Sequence, residues 1–330
     1  MSNKKTRYFV AISAAVLAIG LGTGIVASYM GLPVSVFSSA AGPEELQYVP
    51  SDAAVVAYAN VREVLNSDFP KRFNDIGPSQ DDKNEFEEKT GLNFEQDVDS
   101  VVAAVMPKDG LANNPAGSFL VLARARYQAS RLEALALEHG AQVSDYNGKR
   151  LITHKDDDGK GEEMAFGFVE ADLVAFGSLS SVKASIDARA SNRNVVSNNE
   201  LMKLVNEIDN ANAWAVGKFD AIAEKAGLPS EISSAMPAIS WFSAAGHVDG
   251  GISGTFKAEA KDEATAKNLR DLMGGFLAMA KMQAANKRGM QQLADSLVIS
   301  GEGNSVALAF SIPSEVLDVI EGLAKGRKGL

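Results

Sequence analysis

The chain of 330 residues holds three histidines, His139, His154 and His247, and no cysteine. Imidazole and thiolate are the side chains that most often ligate zinc or act as base and nucleophile, and both tasks need them in groups at set spacings. No H-x-x-x-H or H-E-x-x-H spacing occurs, and no thiolate can complete a site. His139 stands beside Gly140 where a helix is expected to stop, a place where positive charge suits the helix dipole. His154 and His247 fall at expected strand ends, so all three read as structural or surface residues. Missing cysteine also removes disulfides and the lipid-bearing cysteine of a lipoprotein. It suits an oxidising compartment, where a stray thiol is a liability.

Ser180-Ser-Val-Lys183 sets a lysine one helical turn from a serine, the spacing that penicillin-recognising enzymes use. Its companion S-D-N and K-T-G motifs are absent, and serine at a helix start is ordinary capping. No G-x-S-x-G elbow occurs. Asp156-Asp-Asp-Gly-Lys-Gly-Glu-Glu163 gathers hard oxygen ligands without the alternation or the closing glutamate of a calcium loop, so a solvated loop is the better account. Gly159-Lys160 has no upstream glycine at P-loop distance. Asp81, Asp82, Glu85, Glu87 and Glu88 read as the wet face of a helix, with a basic partner surface as the sharper alternative. These residues nominate no catalytic, cofactor-binding or metal-ligating position. The expectation is a protein that is not an enzyme and has no cofactor, with converging carboxylates as the one enzymatic reading left open.

The elements that would position such residues begin with residues 8–30, a run without charge. As a helix it would rise about 34 Å, against a hydrocarbon core of about 30 Å. Lys4, Lys5 and Arg7 precede it and no Lys or Arg follows until Arg62, which places residues 1–7 in the cytoplasm and the rest outside, in the periplasm. The competing reading is a signal peptide cleaved near Ala40, but its apolar region would be unusually long. Gly20, Gly24 and Ser28 form a small-residue stripe along which two such helices could pack, making a second copy one of the partners. Gly20-Leu-Gly-Thr-Gly24 follows no strand and lies in the apolar run, so it is no nucleotide loop. The net charge is −10 overall, and about −13 once Lys4, Lys5 and Arg7 are set aside. That balance excludes a nucleic-acid partner, which calls for a basic face. It also opposes the exported part lying flat on anionic lipid.

Residues 31–45 read as a tether, and β patterning starts at Ala53. Strands are expected at 53–61, 98–106, 118–126, 164–169 and 173–177, with a hairpin at 143–154 turning on Asn147-Gly148 and helices at 129–138 and 180–189. After a polar link at 190–199 the order restarts with strands at 211–218, 239–247 and 251–258. A long helix then runs from an N-cap at Asp262 to about 286, with Leu269, Leu272, Met273, Phe276, Leu277 and Ala280 on one face. Strands at 296–300 and 305–312 and a helix at 314–325 complete the pattern. The expected fold class is α+β: an N-terminal transmembrane helix and two duplicated domains, 46–192 and 200–330, of antiparallel sheet covered by helices on one face. Trp214 and Trp241 sit in strands of the second half, as core residues or, where exposed, as an interface or cleft wall.

Tyr48-Val-Pro-Ser-Asp-Ala-Ala-Val-Val-Ala-Tyr58 and Thr90-Gly-Leu-Asn-Phe94 before Asp97-Val-Asp-Ser-Val101 resemble the opening third of a group of uncharacterised bacterial exported proteins, many of them acidobacterial. The resemblance implies an exported α+β module behind an anchor or signal, and brings no activity and no site residues. The functional expectation is a membrane-tethered periplasmic interaction module, anchored in lipid through its first helix and serving as an accessory subunit of an envelope complex. The alternative is a binding protein for a lipid or other apolar ligand.

Overall fold

Valine-rich runs bounded by turn residues become strands, and the glycine-bearing turns between them set antiparallel pairing. The computed structural model describes residues 43–67, 80–107, 119–154, 163–208, 211–219, 221, 239–248, 251–284 and 288–314. The expected anchor with Gly20, Gly24 and Ser28, the acidic run 156–163 except Glu163, and the helix expected at 314–325 except Ser314 lie outside the described residues. The described chain folds as two compact units, 43–62 with 80–206 and 63–67 with 207–314.

In the first unit the strands are β1 (Val55–Ala59), β2 (Val98–Val105), β3 (Phe119–Ala125), β4 (Gln142–Tyr146), β5 (Lys149–His154), β6 (Met164–Phe168) and β7 (Leu173–Ser178). They lie in the order β1-β2-β3-β7-β6-β5-β4, every pair antiparallel. β4 and β5 turn on Asn147 and Gly148, both at positive φ (51° and 73°), as a two-residue type I′ turn requires. The helices are α1 (Val61–Asn66), which begins in this unit, α2 (Gln80–Thr90), α3 (Phe94–Asp97), α4 (Ala129–Glu138), α5 (Leu179–Ser191) and α6 (Asn199–Asn206). A 3₁₀ turn, Glu44–Tyr48, precedes β1.

Helices cover both faces of this sheet, where the sequence suggested one. A Cβ added at Gly167 of β6 would touch Leu151 and Val182 of α5, so that side of the sheet faces α5. Phe166 and Phe168 point the opposite way and pack with Ile152, Ala136 of α4 and Ala141. β7, which lies between β3 and β6, is consequently buried at every position. The stretch 190–199, read from sequence as a link, is stitched into the unit. Ser51 N–H donates to Arg193 O (3.3 Å), Val195 N–H to Val49 O (2.8 Å) and the Asn198 amide to Ser51 O (2.9 Å). The Asn198 side chain also accepts from Glu200 and Leu201 at the start of α6, which buries Leu201, Leu204 and Val205. The break between units therefore falls after Asn206.

The second unit contains β8 (Ala213–Lys218), β9 (Ile239–Val248), β10 (Ile252–Ala260), α7 (Glu263–Ala284), α8 (Arg288–Ser296), β11 (Val298–Ser300) and β12 (Ser305–Ile312), with strand order β11-β12-β10-β9-β8. Phe310 and Ile312 pack with Ile252, Leu293 and Leu297, which puts α8 on that face. Ser311, one residue from Phe310 and Ile312, and Lys257, five residues from Ile252, point to the other face and are exposed. Asp262 caps α7 as expected, accepting from Thr265 N–H at 2.7 Å; these hydrogen bonds to its charged form hold its carboxyl below the usual range.

Candidate functional site

Two features merit comparison, a polar cluster in the first unit and an apolar stripe in the second. Arg124, near the end of β3, donates from Nε to Glu45 Oε1 (2.7 Å) and from Nη1 to Asp172 Oδ2 (2.8 Å), with Glu170 Oε2 at 3.5 Å. Glu45 is buried and also accepts from Ser100 Oγ at 2.9 Å. Tyr48 donates to Glu170 Oε1 (2.9 Å), Tyr127 to Glu170 O (2.8 Å), and the Arg189 guanidinium stands 5.8 Å from the Tyr48 ring centre. Burial works against the charge on Arg124, but Glu45 and Asp172 outweigh it and hold the guanidinium above its usual value. Tyr127 is pushed up to about 12 by burial and then by the charges of Asp172 and Glu170. Tyr48 is raised by burial and its bond to Glu170, with Arg189 acting the other way.

This cluster resembles a reactive site in composition only. The Glu45 carboxylate is shared by Ser100 and Arg124, and the tyrosines are held protonated, so each group is committed to a neighbour. Its product is attachment: it ties the first described turn of the chain to β2, β3 and the loop between β6 and β7.

The other residues singled out by sequence are also dispersed. Ser178, not Ser180, caps α5, accepting from Ser181 N–H at 3.2 Å and donating to Ser181 Oγ at 2.8 Å. The Lys183 ammonium stands 5.2 Å from the Tyr146 ring centre, a cation–π contact. His139 follows α4 as its C-cap, while His154 ends β5 and His247 lies in β9. On α2, Glu85 pairs with Lys89, Glu87 accepts from Asn93 (2.8 Å), and Lys83 reaches Glu95 (2.8 Å), a wet and largely self-paired surface. Among the described residues no group of three or more His, Asp or Glu could hold a metal ion. Trp214 is 4% exposed and presents no surface, so it takes the packing role. Trp241 is partly exposed, with Lys218 5.7 Å from its ring centre.

The stripe on α7 is different. Successive helical residues turn by about 100°, so Ala266, Leu269, Met273 and Leu277 share one side. That side is buried or half-buried. Leu272, Phe276 and Met279, which follow at i, i+4 and i+7, form the neighbouring stripe, with Met282 further round. Their exposures are 36%, 36%, 52% and 77%. Leu272 and Phe276 thus leave the core face on which the sequence placed them, because the apolar arc of α7 is wider than the sheet can cover. Among the described residues the other exposed large hydrophobics, Leu137, Val196 and Val298, lie on different elements. Fully burying such a side chain stabilises by about 1.5–3 kcal/mol, so covering these four would contribute on the order of 3–6 kcal/mol. Among the described residues no helix is long and apolar enough to cross a membrane, α7 included.

No family model matches the chain, and no curated protein does. Among solved structures it is similar to TP0453 in crystal form I, at 13% identity and a TM-score of 0.45 over 86% of this chain and 98% of that one. It is likewise similar to crystal form III of TP0453, at 13% identity and a TM-score of 0.49 over 86% of this chain and 99% of that one.

Proposed function

We propose that this chain is a membrane-tethered module of the bacterial envelope, exported to the outer side of the inner membrane, that acts by contact and not by catalysis. It serves there as an accessory part of a membrane assembly, and the outward stripe of α7 is its contact surface. That stripe carries the proposal: Leu272, Phe276, Met279 and Met282 stay open to solvent on one helix, and apolar area of this kind marks interaction surfaces. The sequence supports the location, through the uncharged run 8–30 and the basic residues confined to its N-terminal side.

The absence of native cysteine permits a direct test. Single substitutions Lys257→Cys, on the exposed face of β10, and Met282→Cys, on the α7 stripe, are introduced into the full chain in its native membrane. A membrane-impermeant maleimide is then added to spheroplasts. The expected result is rapid labelling at position 257 and protection at 282 that detergent removes. Silence at 257 would remove the outer location. Equal labelling at both positions would remove the contact surface.

A further inference from the structure

We infer that the occupant of the α7 stripe is the same stripe of a second copy, packed antiparallel, an inference that rests on the contact-surface reading above. Asn268, Leu272, Gly275, Met279 and Met282 follow one another at steps of four, three, four and three residues. That is the 3.5-residue period of a coiled-coil seam, in which side chains of one helix drop between those of another. All five positions are exposed, while Met273, Leu277 and Ala284, on the opposite side of α7, are buried or half-buried. Gly275 stands at the middle of the seam. A glycine inside a helix weakens it relative to alanine, and suits places where another backbone must come close. Its own chain supplies no reason for it: a Cβ at Gly275 would meet nothing within 4 Å beyond its own turn of helix. Its φ is not positive either, so the backbone does not demand glycine. The notch opens outward, toward a partner helix.

The seam is complementary to itself. Two copies laid antiparallel about the level of Leu277 set Met279 of each over Gly275 of the other, and Leu272 against Met282. A methionine, which adapts its shape, thus fills each notch. A parallel pair would oppose glycine to glycine and Met279 to Met279, leaving a void in one layer and crowding the other. In the antiparallel pair Phe276, flanking the seam, lies beside the two-fold axis and meets its own copy. Charge permits this pairing in so acidic a chain. Residues 272–284 contain no Asp or Glu, and their one cation, Lys281, turns to Asp295 of α8 at 3.6 Å. Asp271, at the near end, is paired with Lys267 at 2.7 Å. Two copies therefore meet there without like charges in contact. A seam of two heptads falls short of the about 800 Å² per partner of a standard interface, so the pair is weak in dilute solution.

The test uses the purified full chain in mild detergent at roughly millimolar concentration, so that pairing does not depend on the membrane. Ala278→Cys and Asn268→Cys are made singly, both at exposed positions of a chain without cysteine, and treated with a short thiol cross-linker. In the antiparallel pair the two copies of residue 278 are offset by about 3 Å along the helix, and those of residue 268 by about 27 Å. Cross-linked dimer is therefore expected at 278 and not at 268. Adding Gly275→Leu to the Ala278→Cys chain should cut that yield about tenfold by filling the notch. The same change should raise the folding equilibrium about fourfold, since leucine suits a helix better than glycine. Equal yields at 268 and 278, or a yield at 278 that Gly275→Leu leaves unchanged, would overturn the inference. If no cross-link forms while position 282 is protected in native membranes, the occupant is a different protein; the second copy falls and the contact surface stands. With no cross-link and position 282 freely labelled, both fall.

Discussion

Arg124 and Glu45 show how a charged cluster can serve attachment. Glu45 is buried at 4% exposure, and its carboxylate is balanced by one guanidinium and one hydroxyl. Removing Arg124 would leave that charge without its counter-ion, a situation that costs about 3–5 kcal/mol when the pair is fully buried. Arg124 is partly exposed, so we expect Arg124→Ala to destabilise the protein by about 2–3 kcal/mol in denaturant unfolding. Truncating both partners should cost less than the sum of the single changes. Tyr127 offers a pH test. Its folded-state value of about 12 lies above the ordinary value near 10, so the proton is held more tightly in the folded protein. The stabilisation is complete below about pH 10 and is lost as pH rises through about 12. Absorbance titration should show one tyrosine ionising after the rest, and Tyr127→Phe should remove that last step. The roles of these residues were not legible in sequence: Glu45, Ser100, Arg124 and Glu170 are 24 to 125 positions apart, and only the strand order brings them together.

At the scale of elements, local signals carried much of the fold. Asn147-Gly148 announced its hairpin, Asp262 its helix cap, and β12 runs over the expected 305–312. What escaped were short helices fixed by their surroundings. α3 is four residues held by the Asn93 side chain, and α6 hides in a polar stretch whose three buried apolar residues have meaning only against the first unit. α8 begins just past the expected end of the long helix near 286, in a stretch where no element was expected. The wide apolar arc of α7 was visible, but which half of it the sheet would take was not, since the sequence carries no measure of the bed beneath a helix. That division predicts unequal mutational costs. Leu269→Ala, at 6% exposure, should destabilise by about 2–4 kcal/mol. Met282→Gln, at 77%, should stay within about 0.5 kcal/mol in unfolding experiments while weakening whatever the stripe contacts.

Across the whole molecule, charge and apolar area are unevenly shared. The first unit turns one cluster of charges inward, around Glu45 and Arg124, whereas the second leaves a stripe of apolar side chains open on a stretch free of acid. This partition could not be read from the overall charge of −10, which hides a local excess of basic residues at 272–294. The sheets were legible as antiparallel with helical cover; the second helical layer on the first unit was not, because α4 and α5 have similar compositions and only register assigns them to opposite sides.

The fastening of the Glu44–Tyr48 turn has a mechanical consequence. A pull on the chain from its N-terminal side meets the Glu45–Arg124 and Tyr48–Glu170 bonds, and close behind them the bridge between Pro50 and Asn194, before any load reaches β1. These bonds join the turn to β3, to the loop after β6 and to the segment after α5, so a pull must break them one after another before β1 is loaded. Without them β1 would unzip one pair at a time from its end. With them the first unit behaves as a strain-relieved joint, and a pull from the N-terminal side moves it as a body instead of fraying it.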